Sequence, residues 1–101
     1  MCGIFGLASI NKSFDHGLLK DAIKRINHRG PDDSGVWSDG AVGLAHARLS
    51  IHDLSATGHQ PMFSASKRWL VVFNGEIYNF KSLRNELSQR YDIDFRGDSD
   101  T

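Results

Sequence analysis

The order of apolar and polar positions predicts a strand and then a helix at the start of the chain. Gly3–Ala8 is a short apolar run bounded by polar residues, which is typical of a strand buried on both faces. Apolar residues then recur at helical spacing over residues 18–26. Asp15 stands where an N-cap is expected, and Gly30 follows a basic last turn as a stop signal. These residues therefore predict one buried strand and one amphipathic helix.

Two further strands are predicted in the middle of the chain. Residues 28–35, HRGPDDSG, gather two glycines, a proline and two aspartates, which favours a tight loop. Residues 36–38 and 42–51 read as strands joined by a turn at Asp39 and Gly40. Alternation places four residues of the second strand on one face: Val42, Leu44, His46 and Arg48.

The last part of the chain predicts a long loop, a strand and a second helix. Residues 53–62 form an irregular loop of the kind that often carries function. Residues 69–73, WLVVF, give the clearest strand pattern in the chain. A second amphipathic helix is predicted from Asn79 as its cap. Its apolar face holds Phe80, Leu83, Leu87 and Tyr91, and a short strand, IDF, is predicted at 93–95.

Composition indicates one soluble globular domain. The 101 residues are 40% hydrophobic and 24% charged, which is ordinary for a folded chain and excludes disordered and fibrous classes. Twelve basic side chains balance twelve acidic ones, so no long-range field favours nucleic acid or an anionic membrane. No signal peptide is visible and the longest apolar run, 69–73, is too short to cross a bilayer. We expect a cytoplasmic protein.

The single cysteine is the first candidate for chemistry. Cys2 follows Met1 directly, so removal of the methionine would leave a thiol and a free α-amino group on the same residue. An α-amino group is partly unprotonated at neutral pH and can take the proton of the thiol. A lone cysteine excludes an intrachain disulfide and fits a reducing compartment. The alternative is a cysteine without any function.

The histidines offer a second hypothesis. None of the five is four residues from another on a predicted helix, and one cysteine cannot build a multi-thiolate site, which argues against zinc. His28 or His46 could act as the base for Cys2. For His46, on a predicted strand face, a structural role is the commoner alternative.

Other polar residues have both a structural and a functional interpretation. Asn74 and Gly75 suit either a hairpin turn between WLVVF and EIYNF or a pair of hydrogen-bond donors to an oxyanion. Arg48 is either a solvated charge or a clamp for a carboxylate. The basic residues 24–29 read as a helix C-terminus. Three acids are either solvated or accept from a ligand ammonium: Glu76, Asp98 and Asp100.

Six strings in a fixed order carry a family resemblance. They are MCGIFG, HRGPDDSG, LAHARLSIHDLS, GHQPM, FNGEIYNF and SDT. Together they resemble class II glutamine amidotransferases of the N-terminal-nucleophile type, and within them the amidotransferase domain of glutamine-hydrolysing asparagine synthetases. The resemblance implies an α+β fold, the αββα sandwich of two antiparallel sheets between helical layers. Residues 1–101 would be about the first half of that domain.

The resemblance also implies roles for matching residues. Cys2, with Met1 removed, would be the nucleophile and its α-amino group the base. Asn74 and Gly75 would form the oxyanion hole. Arg48 would bind the α-carboxylate of glutamine. The rest of the glutamine pocket would be Ile51, through its backbone, with Glu76 and Asp100 on the α-ammonium. No metal is implied in this segment. His52 and His59 depart from the family pattern, outside these positions.

The implied activity is hydrolysis of glutamine to supply ammonia for the ATP-dependent conversion of aspartate to asparagine, a ligase reaction. Nothing here matches the SGG-type phosphate loop of the synthetase domain. We therefore expect ATP and Mg²⁺ to bind a C-terminal synthetase domain that these residues lack. A homodimer is a further hypothesis. The alternatives are an amidotransferase with another carboxylate acceptor, such as a surface sugar or peptide, and an inactive truncated or ligand-binding fragment.

Overall fold

The structure is a computed structural model that describes residues 1–11, 13–51 and 54–101. His52, which departs from the family pattern, lies outside the described residues. Short 3₁₀ turns cover Asn27–Arg29 and Ala56–Gly58. The strands and helices in chain order are β1 (Gly3–Ala8), α1 (His16–Ile26), β2 (Asp33–Ser38), β3 (Val42–Arg48), β4 (Met62–Phe63), β5 (Leu70–Val71) and α2 (Phe80–Arg90).

The main sheet has three antiparallel strands in the order β1-β3-β2. Helix α1 packs on one face of it, where β3 presents only small residues. Ala45 and Ala47 are fully buried beneath Leu19 and Ile23 of the helix. A Cβ on Gly43 would approach Phe14 to 2.6 Å, so glycine is needed for this close packing. The core is completed by partly buried Phe5, Phe14, Ile26 and Val36.

The other face of β3 carries the larger and more polar side chains. His46 and Arg48 are both buried there, as the predicted alternation requires. The prediction that β1 is buried on both faces is wrong. Ile4, which pairs with His46, is 49% exposed, because α1 covers only the opposite face of the strand.

The second sheet is smaller than predicted. Strands β4 and β5 pair over two residues each, and Trp37 of β2 packs edge to face on Phe63 of β4 with ring centroids 5.9 Å apart. The predicted strand 69–73 shrinks to Leu70–Val71. Within the described residues 54–101, EIYNF forms no strand, so the hairpin interpretation of Asn74 and Gly75 is wrong. Side chains, rather than a partner strand, hydrogen-bond the backbone of Phe73.

Three smaller differences have local causes. Strand β2 begins at Asp33, inside the predicted loop, because Ser34 and Gly35 pair with β3. Strand β3 ends at Arg48 instead of residue 51. Among the described residues, 93–95 form no strand, since Phe95 packs instead under the guanidinium of Arg84, 4.6 Å from its ring centre.

Both predicted helices are present. Asp15 and Asn79 occupy the N-cap positions, although neither side chain makes a capping hydrogen bond with a described residue. Helix α2 buries none of its residues, and Leu83 and Leu87 stay 39% and 38% exposed. None of the helices in the described part of the chain is long and apolar enough to cross a membrane.

Leu19→Ala tests the core between α1 and β3. Because Leu19 is fully buried, its truncation should lower the free energy of unfolding by about 2–5 kcal/mol. Leu18→Ala is the matched control on the same helix, and since Leu18 is 49% exposed, the loss there should be about 1 kcal/mol or less. Urea denaturation followed by circular dichroism measures both. Equal losses for the two variants would contradict the described packing.

Candidate active site

One cavity of about 320 Å³ lies where the polar face of β3 meets the segments that follow β3 and β5. Its wall brings together residues from the start, the middle and the end of the chain. Every residue that the resemblance assigns to the site lies on this wall: Cys2, Arg48, Ile51, Asn74, Gly75, Glu76 and Asp100. Their individual roles stay predictions.

Cys2 is held on the cavity wall by backbone contacts. It precedes β1, and the pairing of Gly3 with Ala47 brings it beside the end of β3. The Leu49 N–H donates to Sγ at 3.3 Å, and the thiol lies 3.6 Å from the Leu49 carbonyl oxygen, to which it donates. Arg29 Nε donates to the Cys2 carbonyl at 3.2 Å. Both the side chain and the backbone of Cys2 are therefore fixed.

Arg48 is buried, so the solvated-charge interpretation does not describe it. Only 8% of the residue is exposed, and its Nη1 donates to the Ser55 carbonyl at 2.8 Å. A side chain at Gly58 would collide with the guanidinium, so the 3₁₀ turn at Ala56–Gly58 lies directly against it. The guanidinium is thereby held in place on the cavity wall.

The acidic candidates divide into two groups. Asp100 is half-buried, and its Oδ2 accepts from the Ile77 N–H at 2.7 Å. Glu76 lies on the same wall. Asp98 is not among the lining residues and faces solvent, with its Oδ1 3.6 Å from Arg84. The structure therefore brings two of the three acids to the cavity.

The described hydrogen bonds do not support a histidine base for Cys2. The ring of His46 is on the cavity wall, but its Nε2 bonds the Phe73 carbonyl at 3.2 Å, whereas the Cys2 thiol contacts Leu49. Burial lowers the pKa of His46, and the charge of Arg48 acts in the same direction, against the opposing effect of the Phe73 carbonyl. His28 is exposed and is not a lining residue. Among the described residues no three His, Cys, Asp or Glu side chains are grouped to hold a metal.

Comparison with known proteins decides the family. The family model described as Glutamine amidotransferase domain matches residues 1–101. This chain belongs to that family. The glutamine amidotransferase resemblance is confirmed, and so is the α+β class, here with two small antiparallel sheets and two helices.

The relatives of this amidotransferase chain are much longer proteins. It is 44% identical over 94 residues to asparagine synthetase B [glutamine-hydrolyzing] of Escherichia coli, covering 90% of this chain and 17% of that protein. It is 38% identical over 105 residues to asparagine synthetase [glutamine-hydrolyzing] 1 of Bacillus subtilis, covering 100% and 16%. It is 34% identical over 119 residues to putative asparagine synthetase [glutamine-hydrolyzing] 2 of Methanocaldococcus jannaschii, covering 100% and 22%. The chain thus spans about a fifth or less of these curated relatives.

The sequence does not predict three residues that line the cavity or hold Cys2. Arg29 was read as part of a helix C-terminus, yet it holds the Cys2 backbone. Leu49 contributes only backbone atoms to Cys2, which no side-chain pattern reveals. Gln60 is buried on the cavity wall. Arg29 lies within the string HRGPDDSG and Gln60 within GHQPM. The motifs therefore include both residues, although the chemistry of each side chain taken alone does not point to the site.

The lowered pKa of His46 predicts a specific dependence of stability on pH. Below the ordinary value of 6.5, the unfolded chain takes up a proton that folded His46 resists. The contribution of His46 to the free energy of unfolding is therefore fully present above pH 6.5 and is lost as the pH falls below that value. Thermal unfolding of wild type and His46→Gln between pH 8 and pH 5 measures this, with exposed His16→Gln as the control. If the melting temperature of His46→Gln depended on pH as steeply as that of wild type, the lowered pKa of His46 would be contradicted.

Proposed function

We propose that this chain is the glutaminase portion of a glutamine-hydrolysing asparagine synthetase. The proposal rests on one observation. A thiol, a buried guanidinium, two carboxylates and the Asn74-Gly75 donors all line the same cavity. A free amino acid with a side-chain amide needs this set, because its two charged ends and its reacting carbonyl must be bound together. The names of the relatives support the same reaction.

Recognition of glutamine would use both ends of the amino acid. The oriented guanidinium of Arg48 would bind the α-carboxylate, and Glu76 and Asp100 would accept from the α-ammonium. Backbone near Ile51 would complete the wall. A ligand that lacked either charge would leave these groups unpaired, which is the physical basis for rejecting other amides.

The reaction begins at Cys2 after removal of Met1. Met1 is 75% exposed and lies on the cavity wall, where it is accessible to an aminopeptidase. The Cys2 sulfur would attack the side-chain amide carbon of glutamine, and the thiol proton would pass to the α-amino group of the same residue. The carbonyl oxygen becomes an oxyanion, to which the Asn74 amide and the Gly75 N–H donate.

Collapse of this tetrahedral adduct breaks the carbon–nitrogen bond. The α-ammonium of Cys2 would return its proton to the leaving nitrogen, so that ammonia departs and a γ-glutamyl thioester remains. Water, deprotonated by the same amino group, would then hydrolyse the thioester to glutamate and the free thiol. No oxidant or metal enters this half-reaction.

The remaining steps would use residues outside this chain. ATP and Mg²⁺ would serve a C-terminal synthetase domain that turns ammonia and aspartate into asparagine. The relatives' greater length is consistent with such a domain. We place the protein in the cytoplasm, where a lone cysteine remains reduced. The homodimer stays a hypothesis.

The first test concerns the processed amino terminus. We expect glutaminase activity in wild type and none above background in Cys2→Ala, measured as glutamate and ammonia release. A glutamine-mimicking electrophile should label only Cys2, without Met1, in mass spectrometry of the N-terminal peptide. A lysine inserted between Met1 and Cys2 blocks methionine removal and should abolish turnover. Full activity with Met1 retained would overturn the α-amino base.

The second test concerns Arg48. Because a charge-assisted hydrogen bond contributes about 1.5–3 kcal/mol, Arg48→Gln should raise KM for glutamine by about 10- to 150-fold. The kcat should change much less, since the α-carboxylate does not react. Arg90→Gln removes an exposed arginine that pairs with Glu86 and is the matched control. An unchanged KM in Arg48→Gln would exclude the carboxylate clamp.

A further inference from the structure

We propose that His46 and Gln60 are positioning residues that hold the Phe73 backbone and thereby place the Asn74 and Gly75 donors. The inference rests on the proposed glutaminase function. It starts from two polar side chains that the catalytic steps leave unused, although they are buried on the cavity wall. His46 is 1% exposed and Gln60 is 5% exposed. Burial of such groups costs free energy unless their hydrogen bonds are satisfied.

Both side chains bond the same residue. Gln60 Oε1 accepts from the Phe73 N–H at 2.6 Å, and His46 Nε2 donates to the Phe73 carbonyl at 3.2 Å. That carbonyl belongs to the peptide group that joins Phe73 to Asn74, so the His46 bond fixes the orientation of the peptide plane directly before the Asn74 Cα. The Gln60 bond fixes the preceding peptide plane. We call this pair of contacts the Phe73 clamp.

The Phe73 clamp restrains the backbone at a point where strand pairing no longer does so. Strand β5 ends at Val71, and within the described residues 72–79 no strand continues it. Without other restraints, an Asn-Gly step would sample many backbone conformations. Oxyanion donors are effective only when their positions are fixed before the reaction, so a restraint directly before Asn74 has a catalytic consequence.

The clamp is anchored in the sheet that also holds Cys2. His46 lies on the central strand β3, paired with Ile4 on one side and Gly35 on the other. A Cβ on Gly35 would collide with the Gln60 carbonyl, so Gln60 packs directly against β2. Gln60 Nε2 also lies 3.5 Å from Thr101 Oγ1, to which it donates. One rigid frame therefore sets the nucleophile and the oxyanion donors relative to each other.

The chemistry of the clamp defines its test variants. Because Nε2 meets a carbonyl, it carries the proton, and Nδ1 is an acceptor with no hydrogen-bond partner among the described residues. A glutamine side chain places an N–H near the position of Nε2, whereas an asparagine side chain is too short to reach it. His46→Asn should break the clamp and His46→Gln should restore it. Gln60→Met keeps the side-chain length but removes the acceptor.

The test separates positioning from folding. In His46→Asn and Gln60→Met we expect kcat for glutamine hydrolysis to fall about 10- to 100-fold, with KM changed less than about threefold. His46→Gln should recover kcat to within about fivefold of wild type. Alkylation of Cys2 by iodoacetamide needs no oxyanion hole and should keep its wild-type rate in all three. His16→Asn is the exposed-histidine control.

Amide hydrogen exchange at Phe73, whose N–H is bonded to Gln60 Oε1, tests the clamp independently of activity. Exchange should accelerate at least about tenfold in His46→Asn and return toward wild type in His46→Gln. If wild type fails to hydrolyse glutamine but shows this pattern, the proposed function fails and the clamp stands. Unchanged exchange in His46→Asn, or a loss of activity accompanied by altered alkylation of Cys2, would overturn the positioning role.

Discussion

The antiparallel pairing of β1 with β3 is the constraint on which the site depends. It sets Gly3 opposite Ala47, and so brings Cys2 to the Leu49 backbone that holds its sulfur. A shift of one residue in this register would turn the side chains of β1 to the opposite face. The position of Cys2 is therefore a property of the sheet rather than of a flexible terminus.

Strand β3 serves the fold and the site with alternate residues. Ala45 and Ala47 point toward α1 and are small, which lets the helix pack closely and fixes the strand. His46 and Arg48 point the other way and reach the cavity. Because the same backbone carries both sets, tight packing on the apolar face limits movement on the polar face. This division explains how a core with few fully buried residues, in the described part of the chain, can support an ordered site.

Local patterns predicted the elements that depend on short-range periodicity. The strand Gly3–Ala8 has the predicted bounds, and α1 and α2 lie where helical spacing placed them. The strand at 69–73 was overestimated, because hydrophobicity cannot show whether a partner strand exists. The motifs named residues that meet in one cavity. They did not reveal the turn that covers Arg48, or the side chains that hold Phe73, since these contacts join segments distant in sequence.

We propose that the Cys2 sulfur, held in this cavity, attacks the amide of glutamine. Rapid acid quenching of the enzyme during turnover of radiolabelled glutamine, followed by mapping of the labelled peptide, measures this attack. We expect an acid-stable γ-glutamyl thioester on the peptide that begins with Cys2. Release of ammonia with no covalent label on Cys2, or with label on another residue, would contradict it.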